Sequence, residues 1–229
     1  ATAKFISRHL YNFFVADESQ VPAWNIEEPR DPEAVQILCD AFREFDGDMR
    51  AVMRVLLNSD FFKNTRFSKV KSPAEFVGGA IKLANWPHVP DPTMSEWGAA
   101  TTAMGQKLLD PPTVEGWHTG KEWIDSGALV ERVNFAADRV GDINMPGVQR
   151  IVDRLSALGP VIQSGDLLDH TLELAGPVEV SSDRRAELMS YLEKYTEIKC
   201  GTPEDMNNFA LIVTGLLRLI VASREFQFA

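Results

Sequence analysis

Long apolar runs are missing from this chain. The longest, Phe209 to Ala222, is interrupted by Thr214, Gly215 and Arg218. It falls short of the roughly 20 residues that a bilayer-spanning helix needs, so it reads as a buried helix. Cysteine is scarce. Cys39 and Cys200 are the two present, and neither belongs to a closely spaced pair of the zinc-binding kind. Cys39 lies among Val35, Leu38 and Phe42 at helical spacing and reads as a small buried side chain. Two cysteines far apart in a chain with a good core do not announce a disulfide, although a bridge between them stays open. Runs of alternating β-branched residues bounded by turns are nearly absent as well, which leaves little room for a sheet. Basic residues, 23 against 33 acidic, give a net charge of −10. Such a surface repels phosphate backbones and anionic lipid, which argues against nucleic acid and membrane surfaces as partners.

The signatures of catalysis are missing too. There is no Gly-x-Ser-x-Gly elbow, no His-Glu-x-x-His and no Gly-x-Gly-x-x-Gly turn. Gly116 to Lys121 approaches a phosphate loop, but Glu115 stands where its first glycine belongs and Glu122 where its Ser or Thr belongs. Asp46-Gly47-Asp48 lacks the later oxygen ligands of a calcium loop and reads better as a turn followed by a helix cap. His9, His88, His118 and His170 are scattered without ligand spacing. No catalytic residue, metal ligand or cofactor is therefore assigned. No signal peptide is visible. The chain opens at Ala1-Thr2-Ala3 without methionine, and the expectation is a processed chain or a piece of something longer.

What is present is helical periodicity in a chain long enough for a core without staples, with an ordinary balance of 45% hydrophobic and 24% charged residues. Phe5, Ile6, His9, Leu10, Phe13 and Phe14 mark one face of a first helix. Pro32 opens a second, Asp48 caps a third, and Ser72-Pro73-Ala74-Glu75 is a strong start signal for a helix to about Ala84. Thr93 opens another that reaches Leu109. Leu129, Val133, Ala136, Ala137 and Val140 mark the next, and further helices are expected at 147–158, 165–175, 182–199 and 203–223. The fold class is all-α: an irregular bundle of about nine or ten helices with a Pro/Gly/Trp-rich loop. A linker at Gly141 to Gly147 separates a helical region, 1–140, from a C-terminal helical segment, 141–229, packed on it as one globular unit. A weak echo links Ser59-Asp60-Phe61-Phe62 with Ser223-Arg224-Glu225-Phe226, each ending an apolar helix in a Ser followed by a Phe.

The informative stretch is Asp110 to Asp125, which breaks the helical pattern with Pro111-Pro112, Gly116 and Gly120. The candidate ligand-binding residues are Trp117, His118, Lys121, Glu122 and Trp123, joined by Trp86 and His88 from the other irregular stretch. Exposed tryptophans stack on sugar rings or clamp apolar ligands, and carboxylates accept from hydroxyls. The plainer reading is that the tryptophans plug the core and the glycines turn the chain, since tryptophan is highly buried on average. Glu115, Glu122 and Asp125 also offer carboxylate pairs of the kind used in glycoside hydrolysis.

Several of these stretches together resemble the bacterial family called domain of unknown function 1800. They are Ala3-Lys4-Phe5-Ile6-Ser7-Arg8-His9-Leu10 with Phe13-Phe14-Val15, Lys69-Val70-Lys71-Ser72-Pro73-Ala74-Glu75-Phe76, and Met104-Gly105-Gln106. The distinctive one is Pro111-Pro112-Thr113-Val114-Glu115-Gly116-Trp117 with Gly120, Trp123-Ile124, Leu129, Arg132 and Asn134-Phe135; the end, Ala222-Ser223-Arg224-Glu225-Phe226, matches as well. Thr113 and Glu115 stand where the family more often has Asn and Lys, the second reversing a charge. The resemblance implies the C-terminal half of a longer helical protein. It also implies export to the periplasm, cell surface or exterior, because members are often exported and their genes often neighbour an exported family related to sulfatases. It implies no reaction. The leading expectation is a binding module for a partner protein or an extracellular polymer such as a polysaccharide. Part of its Phe5/Leu10/Phe13 face would pack on an upstream half of the same polypeptide or on another exported protein. The alternative is a hydrolase of glycans or sulfated polymers using the Glu115–Asp125 loop.

Overall fold

The computed structural model describes residues 1–84, 92, 94–176 and 178–228. The fold is all-α, with eleven α-helices among the described residues. They are α1 (Thr2–Phe14), α2 (Pro32–Glu44), α3 (Met49–Asn58), α4 (Asp60–Lys63), α5 (Pro73–Ala84), α6 (Met94–Ala103), α7 (Ser126–Gly141), α8 (Pro146–Ser156), α9 (Ser164–Ala175), α10 (Ser182–Leu192) and α11 (Pro203–Val221). Two short strands, β1 (Val161–Ile162) and β2 (Ile198–Lys199), pair antiparallel with Ile162 opposite Ile198.

The caps follow the sequence closely. Asp31 accepts from the Ala34 N–H ahead of α2, and Asp48 accepts from the Arg50 N–H ahead of α3. Ser72 and Glu75 form the expected reciprocal box, Glu75 Oε2 accepting from the Ser72 N–H at 2.7 Å and Ser72 Oγ from the Glu75 N–H at 3.3 Å. A further donor of that first turn, the Ala74 N–H, is satisfied from a distance by Gln106 Oε1 at 2.8 Å. The echo between the two apolar helix ends is geometric as well. Ser59 Oγ accepts from the Phe62 N–H and Ser223 Oγ from the Phe226 N–H, each starting a short turn that folds a Phe back.

Two expectations need correction. The helix begun near residue 93 stops at Ala103 rather than Leu109, because Gly105 takes φ +94° and its N–H closes back on the Thr102 carbonyl; Thr93 itself lies outside the described residues. The helix expected over 182–199 ends at Leu192, and Ile198 is buried in the strand pair instead. Separately, α1 turns its less apolar side inward. Its buried residues are Ala3, Ser7, Arg8 and Tyr11, while Phe5 is half exposed and Phe13 is 71% exposed. The inward face is chosen by an ion pair that periodicity does not register, described below.

The buried apolar side chains fall into two clusters. The smaller joins α1, α2 and α3 around Tyr11, Leu38, Val52 and Leu56. The larger draws on α5 and α7 to α11, with Phe76, Val140, Leu155, Leu168, Phe209 and Leu216 among its members. The break between them falls between residues 63 and 75, and both sides of residue 141 share the larger cluster. α11 packs against α7, α8, α9 and α10, each fully buried Leu, Ile or Phe contributing about 1.5–3 kcal/mol. At the start of α8, Gly147 lies against the end of α5. A Cβ there would sit 2.3 Å from the Leu83 carbonyl oxygen and 2.5 Å from that of Ala84. Cys39 lies in the smaller cluster and Cys200 in the larger, and both thiols are free. Burial pushes the Cys200 thiol above its ordinary range. No helix among the described residues is long and apolar enough to cross a membrane.

Candidate functional site

The site begins with a charge brought indoors. Glu18, which follows α1, turns its carboxylate into the protein, where Oε2 accepts from Arg8 Nε (3.0 Å) and Nη2 (2.7 Å). Its Oε1 accepts from the Arg30 N–H at 2.8 Å. The remaining Arg8 donors reach the carbonyls of Trp24, Glu27 and Glu28, and the guanidinium lies 4.7 Å from the Trp24 ring centre. All five N–H groups of Arg8 thus have acceptors, which is the condition under which a buried pair repays its desolvation. The pair fixes residues 18–30 against α1.

Next to it, Asp17 faces the other way. Its Oδ2 accepts from the Val70 N–H at 2.7 Å, Lys69 Nζ lies 3.6 Å from Oδ1, and the side chain is 13% exposed. Burial pushes its carboxyl above the usual range, against the pull of the Val70 N–H and Lys69. The Pro/Gly/Trp-rich loop docks on this spot. Gln20 Nε2 donates to the Thr119 carbonyl at 3.1 Å, and Gly120 takes φ +63° with only 3.0 Å between the place of a Cβ and Asp17 Cβ. A one-turn 3-10 helix, Gly120–Trp123, then points Lys121 and Glu122 outward and Trp123 inward. Asp125 is engaged as the cap of α7, accepting from the Ala128 N–H.

The third wall is the chain's last described segment. Val70 and Phe228 form an antiparallel bridge, the Lys71 N–H donates to the Gln227 carbonyl at 2.9 Å, and Lys71 Nζ donates to the Phe226 carbonyl at 2.8 Å. Arg132, on α7 and without exposed surface, donates from Nε to Gln227 Oε1 (2.8 Å) and from Nη2 to the Lys71 carbonyl (2.7 Å). Its guanidinium stacks 4.5 Å from the Phe76 ring centre, and its Nη1 has no hydrogen-bond partner. Burial pulls the Arg132 pKa down to about 10; burial and then the Arg132 charge pull Lys71 down as well.

These three walls enclose a cleft of about 790 Å³, within the size range of small-molecule sites. Asp17, Gln20, Glu27 and Arg30 line one side, Thr119, Lys121 and Glu122 the loop side, and Phe67, Arg224 and Phe228 the third. Of the residues expected from sequence, Lys121 and Glu122 line this cleft, while Trp117 and His118 stand beside it on the same loop without lining it. His118 Nδ1 lies 2.6 Å from Glu122 Oε2, both half exposed, and the half-buried Trp117 donates its indole N–H to the Lys107 carbonyl. Trp123 is corrected: at 5% exposure it fills the protein interior and has no face to offer a ligand. Trp86 and His88 lie outside the described residues. Asp17, Arg30, Phe67, Arg224 and Phe228 were not foreseen. Among the described residues no group of three or more His, Cys, Asp or Glu is placed to hold a metal ion.

The profile of the family described as protein of unknown function DUF1800 matches residues 1–228. The chain belongs to the DUF1800 family. No curated protein and no solved structure matches it. For this DUF1800 chain the two loop tryptophans therefore separate by role. Trp123→Ala is expected to cost about 3–5 kcal/mol of stability, as for other buried aromatics. Trp117→Ala, which removes one hydrogen bond at a half-exposed ring, is expected to cost about 1 kcal/mol. Urea unfolding of the two variants checks the contrast.

Proposed function

We propose that this chain is an exported, non-enzymatic binding module whose cleft holds a neutral, hydroxyl-rich extracellular polymer, a glycan. The observation that carries the reading is the cleft's lining. Asp17, Glu27 and Glu122 offer acceptors, Arg30, Lys121 and Arg224 offer donors, and Phe67 and Phe228 contribute rings at one wall. Hydroxyl groups, which both donate and accept, suit a lining of mixed sign. An anionic polymer would meet the carboxylates instead. Export is part of the proposal and follows the family's habit.

The test is calorimetric titration with linear gluco- and N-acetylgluco-oligosaccharides. Glu122→Gln and Asp17→Asn are expected to weaken binding about tenfold or more, each removing a charged acceptor (roughly 1.5–3 kcal/mol). Unchanged affinity in both variants, or no saturable binding by the wild type, sinks the reading. Asp17→Asn carries a second signature. The raised carboxyl pKa means that ionised Asp17 is penalised in the folded state above that pKa, and the penalty lifts as pH falls through it. The variant is therefore expected to be more stable than wild type at neutral pH, the difference closing in acid.

A second reading, a glycan hydrolase, is favoured by one observation: a carboxyl with raised pKa, Asp17, lines the same cleft as the exposed Glu122 carboxylate. Such a pair matches the acid and base roles of glycoside hydrolysis. Release of reducing ends from a bound oligosaccharide, lost in Asp17→Asn, would replace the binding-only account.

A further inference from the structure

The 790 Å³ cleft is not isolated. Phe67, Arg224 and Phe228 from its third wall also line a narrow cavity of about 160 Å³, together with Glu179 and Glu225. Phe67 and Glu179 in turn line a third cavity of about 580 Å³, bordered by Arg66, Leu172 and Val178. Phe67 is common to all three. It is also one of the few non-glycine residues with positive φ, +52°, a conformation that L side chains avoid. The backbone is thus held in a disfavoured shape at the one residue where the cavities meet, a pattern that accompanies functional positions.

Two further observations concern the waist. Glu225, whose side chain is 21% exposed, turns Oε2 inward toward the equally shielded Arg184 Nε, 3.8 Å away, and so holds α10 against the waist. Beyond the waist, Arg66 and Glu179 pair at 3.5 Å with both side chains largely exposed. Such a surface contact is weak and opens readily.

We infer that the three cavities form one trough, which holds several consecutive units of a linear, uncharged, hydroxyl-rich chain. Phe67 is the platform at its waist, with the Glu225 side chain beside it. This rests on the reading of the cleft as a glycan site and extends it from a single pocket to a row of subsites. A charged polymer is disfavoured along the whole path, since each of the three cavities is lined by side chains of both signs, such as Glu122 with Lys121, Glu225 with Arg224, and Glu179 with Arg66. A chain occupying both arms makes the second contact intramolecular, so affinity rises steeply with length until both are filled.

The experiment is titration of the whole chain with linear gluco- and N-acetylgluco-oligosaccharides from the disaccharide to the octasaccharide, for wild type and Phe67→Gly. Glycine adopts φ +52° freely, so this variant keeps the backbone and removes only the ring; urea unfolding confirms its fold. Wild-type affinity is expected to climb roughly a hundredfold across the series. In Phe67→Gly, which also removes a ring from the first cleft, the shortest ligands are expected to bind somewhat more weakly than in wild type, while the longest lose most of their gain from length. Affinity independent of length, or a Phe67→Gly variant weakened equally at every length, overturns the trough and leaves the single-cleft reading standing. Failure of every oligosaccharide to bind the wild type overturns both.

Discussion

Gly147→Ala is expected to destabilise the protein by about 3 kcal/mol or more, the upper end of overpacking costs. The obstruction is backbone on both sides. The added carbon would stand 2.3 Å and 2.5 Å from the carbonyl oxygens of Leu83 and Ala84, and neither can rotate away as a side chain would. Relief requires α8 to move off α5, opening the larger cluster where Val148, Ile151 and Ala84 are buried. Gly79→Ala supplies a contrast of opposite sign. Gly79 lies inside α5, is exposed, and has nothing within 4 Å of the place of its Cβ. There alanine is expected to stabilise by about 0.5–1 kcal/mol through helix propensity and the unfolded state. Chemical denaturation of both variants decides the matter, and a Gly147→Ala protein as stable as wild type would mean that the helix crossing is looser than described.

Arg132→Met is the second large effect. The guanidinium is buried without a carboxylate bonded to it, so removing its charge lifts a desolvation penalty. The same change strips donors from two acceptors, Gln227 Oε1 and the Lys71 carbonyl, and each buried acceptor left alone costs about 1–3 kcal/mol. Methionine also leaves part of the space over Phe76 empty. The losses outweigh the relief, and a net cost of about 3 kcal/mol is expected. The local readout is hydrogen exchange at the Lys71 amide, which donates to the Gln227 carbonyl and is expected to lose protection ahead of the amides of α5. If that amide stays protected while stability falls, Arg132 acts through packing and not as the clamp of residues 225–228.

Local signals were the legible part of the sequence. Ser72 with Glu75 and Asp48 before Met49 are reciprocal or short-range contacts, and short-range contacts are what spacing encodes. α10 was drawn too long because Glu193 to Glu197 carry ordinary helical residues; what ends it is the pairing of Ile198 with Ile162, a contact made 36 positions away. The inward side of α1 is likewise set by contacts beyond its own spacing. A pattern search counts Phe5 and Phe13 and ignores Arg8, yet Arg8 goes inside because Glu18 and the three backbone carbonyls of Trp24, Glu27 and Glu28 await it. The candidate site divides along the same line. Lys121 and Glu122 stood out because they sit on a glycine-punctuated loop, where sites usually lie. Asp17, Arg30 and Arg224 are single residues from three places in the chain, joined only by the fold, and the positive φ of Phe67 leaves no mark on its surroundings in sequence.

The clamp of residues 225–228 onto Lys71 and Arg132 also has a consequence for the order of events during synthesis. Lys71 Nζ and its acceptor, the Phe226 carbonyl, are 155 positions apart. At roughly 5–20 residues per second the ribosome takes about 8–30 s to cover that distance. Over that interval the nascent chain carries Lys71 ahead of α5 and, once α7 has been made, Arg132 as well, with no tail to bond either. Phe76 lacks Phe226, its edge-on neighbour at 5.7 Å. The N-terminal cluster of α1 to α3 can settle early, whereas the cleft acquires its third wall among the last steps, so that a chain stalled before residue 224 would present folded helices and no groove.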